Sequence, residues 1–115
     1  MKKVALFAFN GETMCFVHVL LNGLNMKEKG YDVKVIIEGA ATKLIPEMNN
    51  VSSPLYGLFQ KTVSNNIIDG ACRACSVKMG TIKDAESIGI NLLDDMSGHP
   101  GMSRYVDDGY EIITF

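Results

Sequence analysis

No uninterrupted apolar segment in this sequence is long enough to span a bilayer, so no membrane is expected as a partner. Positive charge is not in excess either. Eleven Lys and Arg stand against thirteen Asp and Glu, a formal net charge of -2, and such a surface has little with which to neutralise a phosphate backbone, so no nucleic acid is expected. The Walker pattern and the Gly-x-Gly-x-x-Gly fingerprint are both missing, which leaves no support for a nucleotide and predicts a chain without a cofactor. Met1-Lys2-Lys3 before Val4 to Phe9 has the basic start of a leader. That apolar run is short, however, and meets Asn10-Gly11 without a small-residue cleavage site, so a first strand is expected. Cysteine is sparse, and its number, three, is odd. With no sign of export, this argues against a disulfide framework and for reduced or chemically used thiols in a cytoplasmic protein. Low-complexity tracts and internal repeats are absent. The 115 residues, 47% hydrophobic and 21% charged, therefore predict one globular domain over residues 1–115.

The pattern along the chain alternates between strand and helix. Lys3 to Phe9 is continuously apolar, as a strand covered on both faces should be. From Glu12 to Lys29 the period lengthens: His18, Asn22, Asn25 and Lys29 form a polar stripe, with Phe16, Val17, Leu20, Leu21 and Leu24 opposite and Gly30 as the C-cap. Asp32 to Glu38, rich in β-branched residues and stopped by Gly39, completes a βαβ unit. A loop from Ala40 then leads into a short helix over Leu44 to Met48, with Pro46 near its first turn. Ser53-Pro54 opens a further helix to about Ser64, with Leu55, Leu58, Phe59 and Val63 as its buried face. Ile67 to Ala74 reads as a third strand, and Thr81 to Asp84 resembles a capping box opening a helix to Ser87 or Ile88. Ile90 to Leu93 is a short fourth strand, and Ser97 to Gly101 is turn chemistry. A small helix over Met102 to Asp108, capped by Gly109, precedes the last strand, Tyr110 to Phe115. Such alternation predicts an α/β fold, a three-layer α/β/α sandwich around a mostly parallel sheet of about five strands.

Reactive groups in open α/β sheets lie beyond the carboxyl ends of the strands. Cys72 and Cys75, in Ala-Cys-Arg-Ala-Cys, leave the third strand at such a place. Exposed amides together with Arg73 and Lys78 would there favour a thiolate, the form that attacks a sulfane sulfur.

The Cys72-x-x-Cys75-x-x-x-x-Gly80 arrangement after the third strand, with the strand-loop-helix opening at Phe9-Asn10-Gly11-Glu12, resembles the DsrE/DsrF-like family of sulfur-relay subunits. The order of elements and the closing strand extend the resemblance over essentially the whole chain. It implies a carrier of sulfane sulfur as a cysteine persulfide. Cys72, placed before Gly80 as the acceptor cysteine of relay members precedes its glycine, would be the acceptor, and Cys75 would resolve the persulfide or share its role. The partners implied are sulfur donor and acceptor proteins and further copies of the chain, in a trimer or hexamer; the broad apolar surface of the first helix agrees with such a homo-oligomer. Asn10, Gly11, Glu12, Arg73 and His99 are the expected pocket residues, His99 as a proton donor or acceptor.

Each of these signals has a plainer reading. Two cysteines can pack as small hydrophobes, Cys15 reads as a core residue, and His18 belongs to the polar stripe. A turn histidine can simply face solvent, an Asn-Gly turn needs no function, and Glu38 and Thr42 at the second strand exit are equally ambiguous. A thiol-disulfide oxidoreductase using Cys72 and Cys75 is one rival activity, and an oligomeric binding module with inert thiols is another. Zinc would find three ligands in Cys72, Cys75 and His99, but a structural site takes four and no second close-spaced pair is present, so no metal is expected.

Overall fold

A computed structural model describes all residues from Met1 to Phe115. Five strands form one sheet: β1 (Lys3–Ala8), β2 (Asp32–Ile37), β3 (Ile68–Cys72), β4 (Leu92–Leu93) and β5 (Glu111–Thr114). Their order is β4-β3-β2-β1-β5 and every neighbouring pair is parallel. Six α-helices connect them: α1 (Thr13–Glu28), α2 (Ile45–Met48), α3 (Leu55–Ser64), α4 (Arg73–Lys78), α5 (Ile82–Ile88) and α6 (Ser103–Asp107). A 3-10 helix over Gly39–Leu44 stands where a loop is expected. The α/β fold predicted from the alternation is thus the one observed.

Strand periodicity divides the core into two unequal parts. Val4, Leu6 and Ala8 of β1 and Val33, Val35 and Ile37 of β2 point to one face, where residues of α1, α2, α3 and α5 complete a cluster of 18 buried side chains. Ala5, Phe7 and Ile36 point to the other, closed by Tyr105 of α6 and Tyr110 in a cluster of five, with Leu93, Met102 and Ile112 packed against it. That smaller core relies on aromatic geometry. The Phe7 and Tyr105 rings meet edge to face at 5.4 Å, and Tyr105 meets Tyr110 similarly at 6.1 Å. The polar tips are satisfied: the Tyr105 hydroxyl donates to Asp69, and the Tyr110 hydroxyl donates to Asp32 Oδ2 at 2.8 Å.

Several local expectations shift. In α1 the buried residues are Phe16, Val19, Leu20 and Gly23, while Leu21 is 47% exposed. Gly23 is where the helix comes down on the sheet, since a Cβ there would lie 2.9 Å from Ile67 Cδ1. In α3 Thr62 is buried in place of Val63, its hydroxyl donating to the Phe59 carbonyl at 2.6 Å. Ser53 accepts from the Leu55 amide at 3.2 Å, as the N-terminal signal predicts. Thr81 makes no cap bond; its hydroxyl donates instead to the Thr42 carbonyl, tying α5 to the 3-10 helix.

The third strand ends at Cys72 rather than Ala74, because the backbone turns there into α4. The Asp69-Gly70 pair survives within β3 for a steric reason. A Cβ at Gly70 would lie 2.7 Å from both the Asn91 carbonyl oxygen and Leu93 Cγ, so only glycine lets β4 pack this closely.

Candidate functional site

Strand register assembles the site. Ile37 pairs with Ala71, so Glu38 and Cys72 emerge side by side at the carboxyl edge of β2 and β3. Cys72 in turn pairs with Leu93, so the chain leaving β4 returns beside it. Gly39, at φ 52°, turns the backbone sharply after Glu38 against the Phe9 carbonyl.

Cys72 is the N-cap of α4, where its sulfur takes the place of the usual serine or aspartate oxygen and accepts the Cys75 amide at 3.3 Å. That bond fixes Cys75 in the first turn of α4, with its sulfur within 4.8 Å of the Cys72 sulfur. His99 is positioned by a hairpin turn. Ser97 and Gly98 both have positive φ, 52° and 90°, the pattern of a type I′ turn, and the Met96 and His99 amides and carbonyls exchange bonds of 2.7 and 2.9 Å. The Gly98 carbonyl then accepts the Ala74 amide at 2.9 Å, docking the turn on the start of α4.

The result is a convergence of four side chains. His99 Nδ1 lies 3.1 Å from Cys72 Sγ, 3.7 Å from Cys75 Sγ and 3.9 Å from Glu38 Oε1. Cys75 Sγ stands 4.0 Å from Glu38 Oε1.

Exposure differs sharply between the two thiols. Cys72, expected as the accepting nucleophile, is sealed at 0% exposure, whereas Cys75 is half-buried and the His99 side chain is 41% exposed. Burial pushes the Cys72 thiol up to about 12, against the lowering pull of the Cys75 amide and with help from the Cys75 thiol and Glu38. Burial likewise raises the Glu38 carboxyl above its ordinary range, opposed by the Cys72 thiol and by His99. The helix amide and imidazole around Cys72 therefore do not make it the open thiolate that the sequence suggests.

The remaining expected residues stand apart. Arg73 is exposed and turned to Asp94, Nε to Oδ2 3.0 Å, so it neutralises a carboxylate rather than a sulfur anion. Asn10 Oδ1 accepts the Glu12 amide at 2.8 Å in a local turn, and a Cβ on Gly11 would meet Lys43 and Ala40. These two and the exposed Glu12 make no hydrogen bond to the four-residue cluster. Cys15 and His18 lie on α1, outside the cluster, and Thr42 has a structural bond to the Gly39 carbonyl at 2.8 Å. Glu38 is the member that sequence reasoning left undecided. The available signal was a carboxylate ending an otherwise apolar strand just before a glycine.

No family model matches the sequence. An uncharacterized protein of Methanocaldococcus jannaschii is 33% identical over 97 residues, covering 84% of this chain and 77% of that protein. Two uncharacterized proteins of Archaeoglobus fulgidus match shorter stretches, one 46% identical over 37 residues and the other 49% identical over 41. These cover 32% and 36% of this chain, and 100% and 67% of the respective proteins. The structure of a conserved protein of unknown function from Bacteroides thetaiotaomicron superposes with a TM-score of 0.67 at 20% identity, over 96% of this chain and 94% of that one. That last likeness is one of fold alone. No helix of the chain is long and apolar enough to cross a membrane.

Proposed function

The chain belongs to the same family as the Methanocaldococcus jannaschii protein, and from its own residues we propose that it is a sulfur-relay type protein carrying sulfane sulfur as a persulfide on Cys75. The observation that carries this reading is a half-buried thiol, Cys75, sharing one imidazole nitrogen with a sealed thiol, Cys72, at the carboxyl edge of a parallel sheet. In the transfer, the Cys75 sulfur attacks the terminal sulfur of a donor persulfide. A new S–S bond forms, the donor's S–S bond breaks, and the proton leaving Cys75 ends on the donor thiol, with His99 within reach as its carrier. The exchange is redox neutral.

Cys72 has a different part in this scheme. Attack by Cys72 on the Cys75 sulfur itself would form a Cys72–Cys75 disulfide, break the bond to the carried sulfur and expel it as hydrosulfide, discharging the carrier. A thiol held in its neutral form by burial is a poor nucleophile, so the bound sulfur persists until an acceptor takes it. The partners are then donor and acceptor proteins. The exposed Met14 and Leu21 on α1 support association into a homo-oligomer, a trimer or hexamer by the family resemblance.

A thiol-disulfide couple is the second reading, favoured by the way both sulfurs converge on His99 Nδ1 instead of pointing apart. It would need a disulfide or peroxide as oxidant. One experiment separates the two. Incubation of the reduced chain with a low-molecular-weight persulfide, followed by peptide mass mapping, should place one added sulfur atom on Cys75. Cys75→Ser should abolish the adduct and Cys72→Ser should preserve it. Unmodified thiols beside a labelled control protein would overturn the carrier reading, and loss of two hydrogens with no sulfur added would favour the disulfide couple.

A further inference from the structure

We propose that Glu38, Cys72, Cys75 and His99 form a four-ligand site for a thiophilic divalent cation, with Zn2+ as the ion whose chemistry it fits. Each residue offers one ligand atom, and the four atoms lie within 4.8 Å of one another. A tetrahedron built on bonds of about 2.0 to 2.3 Å needs ligands about 3.3 to 3.8 Å apart. The separations from His99 Nδ1 to Cys72 Sγ, Cys75 Sγ and Glu38 Oε1 are 3.1, 3.7 and 3.9 Å, and Cys75 Sγ to Glu38 Oε1 is 4.0 Å. The two remaining pairs, Cys72 Sγ to Cys75 Sγ and to the Glu38 carboxylate, fall within the same 4.8 Å, so side-chain adjustments of up to about 1 Å would bring the four atoms around one ion.

Along the sequence, Cys72, Cys75 and His99 have no evident fourth ligand. Glu38 supplies it, delivered from the adjacent strand by the Ile37–Ala71 pairing. Its carboxylate also has a reason to want a cation. Glu38 is 6% exposed, yet no lysine or arginine pairs with it, and its neighbours are two thiols and an imidazole. An ionised carboxylate buried without a counter-charge costs several kcal/mol, and a divalent ion bound by two thiolates and that carboxylate removes the deficit.

Donor chemistry narrows the ion. Two thiolates with an imidazole disfavour Mg2+ and Ca2+, which take oxygen, and suit Zn2+ in four-coordination. Rigid elements hold every ligand: the end of β2, the end of β3, the first turn of α4 and a docked hairpin turn. The partly exposed flank formed by His99 and Cys75 is a path for entry. Binding releases the two thiol protons and involves no electron transfer.

This site does not depend on the sulfur-carrier reading, although both engage the same sulfurs. Its test uses the full chain, reduced and stripped by a chelator under anaerobic conditions, and titrated with Co2+ alone. One ion per chain should produce thiolate-to-cobalt charge-transfer absorption and the intense visible bands of a four-coordinate ion, and Zn2+ should bleach both. Glu38→Gln should shift the visible bands and weaken binding by about 100-fold or more, since loss of a ligand exceeds the loss of an outer partner. His99→Gln, altered at a half-exposed position, should do the same without threatening the core. Absence of the bands at excess Co2+ would overturn the proposal. So would bands unchanged in both variants, which would mean chelation by the two thiols alone, or one ion per two chains, which would mean a bridge between copies. Persulfide acceptance is measured on the stripped chain, so either idea can fail without the other.

Discussion

His99 Nδ1 rests 3.1 Å from Cys72 Sγ, although α4, α5 and β4 all intervene between the two residues in sequence. The contact exists because Cys72 pairs with Leu93 across the sheet and because the turn after β4 docks on the Ala74 amide. Removing the imidazole tests what that contact does. His99→Ala is expected to slow persulfide acceptance at Cys75 on the order of 100-fold, the usual scale for a lost proton carrier. The rate with a persulfide donor, followed by quenched mass spectrometry, checks it; an unchanged rate would leave His99 a packing residue.

If both proposals hold, metal and sulfane sulfur would compete for the Cys75 sulfur. Chain loaded with Zn2+ is expected to take up no sulfur from a persulfide donor, and addition of a chelator should restore the adduct on Cys75. Equal labelling with and without the ion would show that the two do not share ligands.

Gly70 is the hinge between sheet packing and the site. In Gly70→Ala the new Cβ starts 2.7 Å from the Asn91 oxygen and Leu93 Cγ, so β4 must move. A loss of about 1–3 kcal/mol is expected from such overpacking, read from urea unfolding. Because β4 carries the turn that holds His99, Co2+ affinity should fall as well. A variant that loses stability but binds Co2+ normally would uncouple the strand from the site.

Tyr110 is expected to contribute to the alkaline loss of stability. Burial first, then the hydrogen bond to Asp32 and the charges of Asp32, Asp108 and Asp69, push its hydroxyl up to about 12, with Lys3 and Lys34 over the ring. The raised value means that the neutral phenol is favoured in the folded chain. Its contribution is therefore fully present below the unfolded tyrosine value of about 10 and is lost as pH rises through the folded one. Wild type is expected to lose stability between those limits more steeply than Tyr110→Phe. Parallel denaturation profiles of the two proteins would refute the assignment.

Local patterns in the chain were enough to predict the strand-helix alternation, the parallel sheet and the place of the cysteine pair. Continuous apolar runs such as Val4 to Ala8, and the helical stripe of His18, Asn22 and Asn25, act within a few residues of one another and can be read without knowing the partners. Exposure was less legible: Leu21 and Val63 lie on the outside because Gly23 and Thr62 fit more closely against their neighbours. The make-up of the site was decided only in three dimensions. Register brings Glu38 beside Cys72, a docked turn brings His99 to both sulfurs, and the resulting packing leaves Cys75, not Cys72, open to water. Those relations join strands far apart in sequence, and no window along the chain contains them.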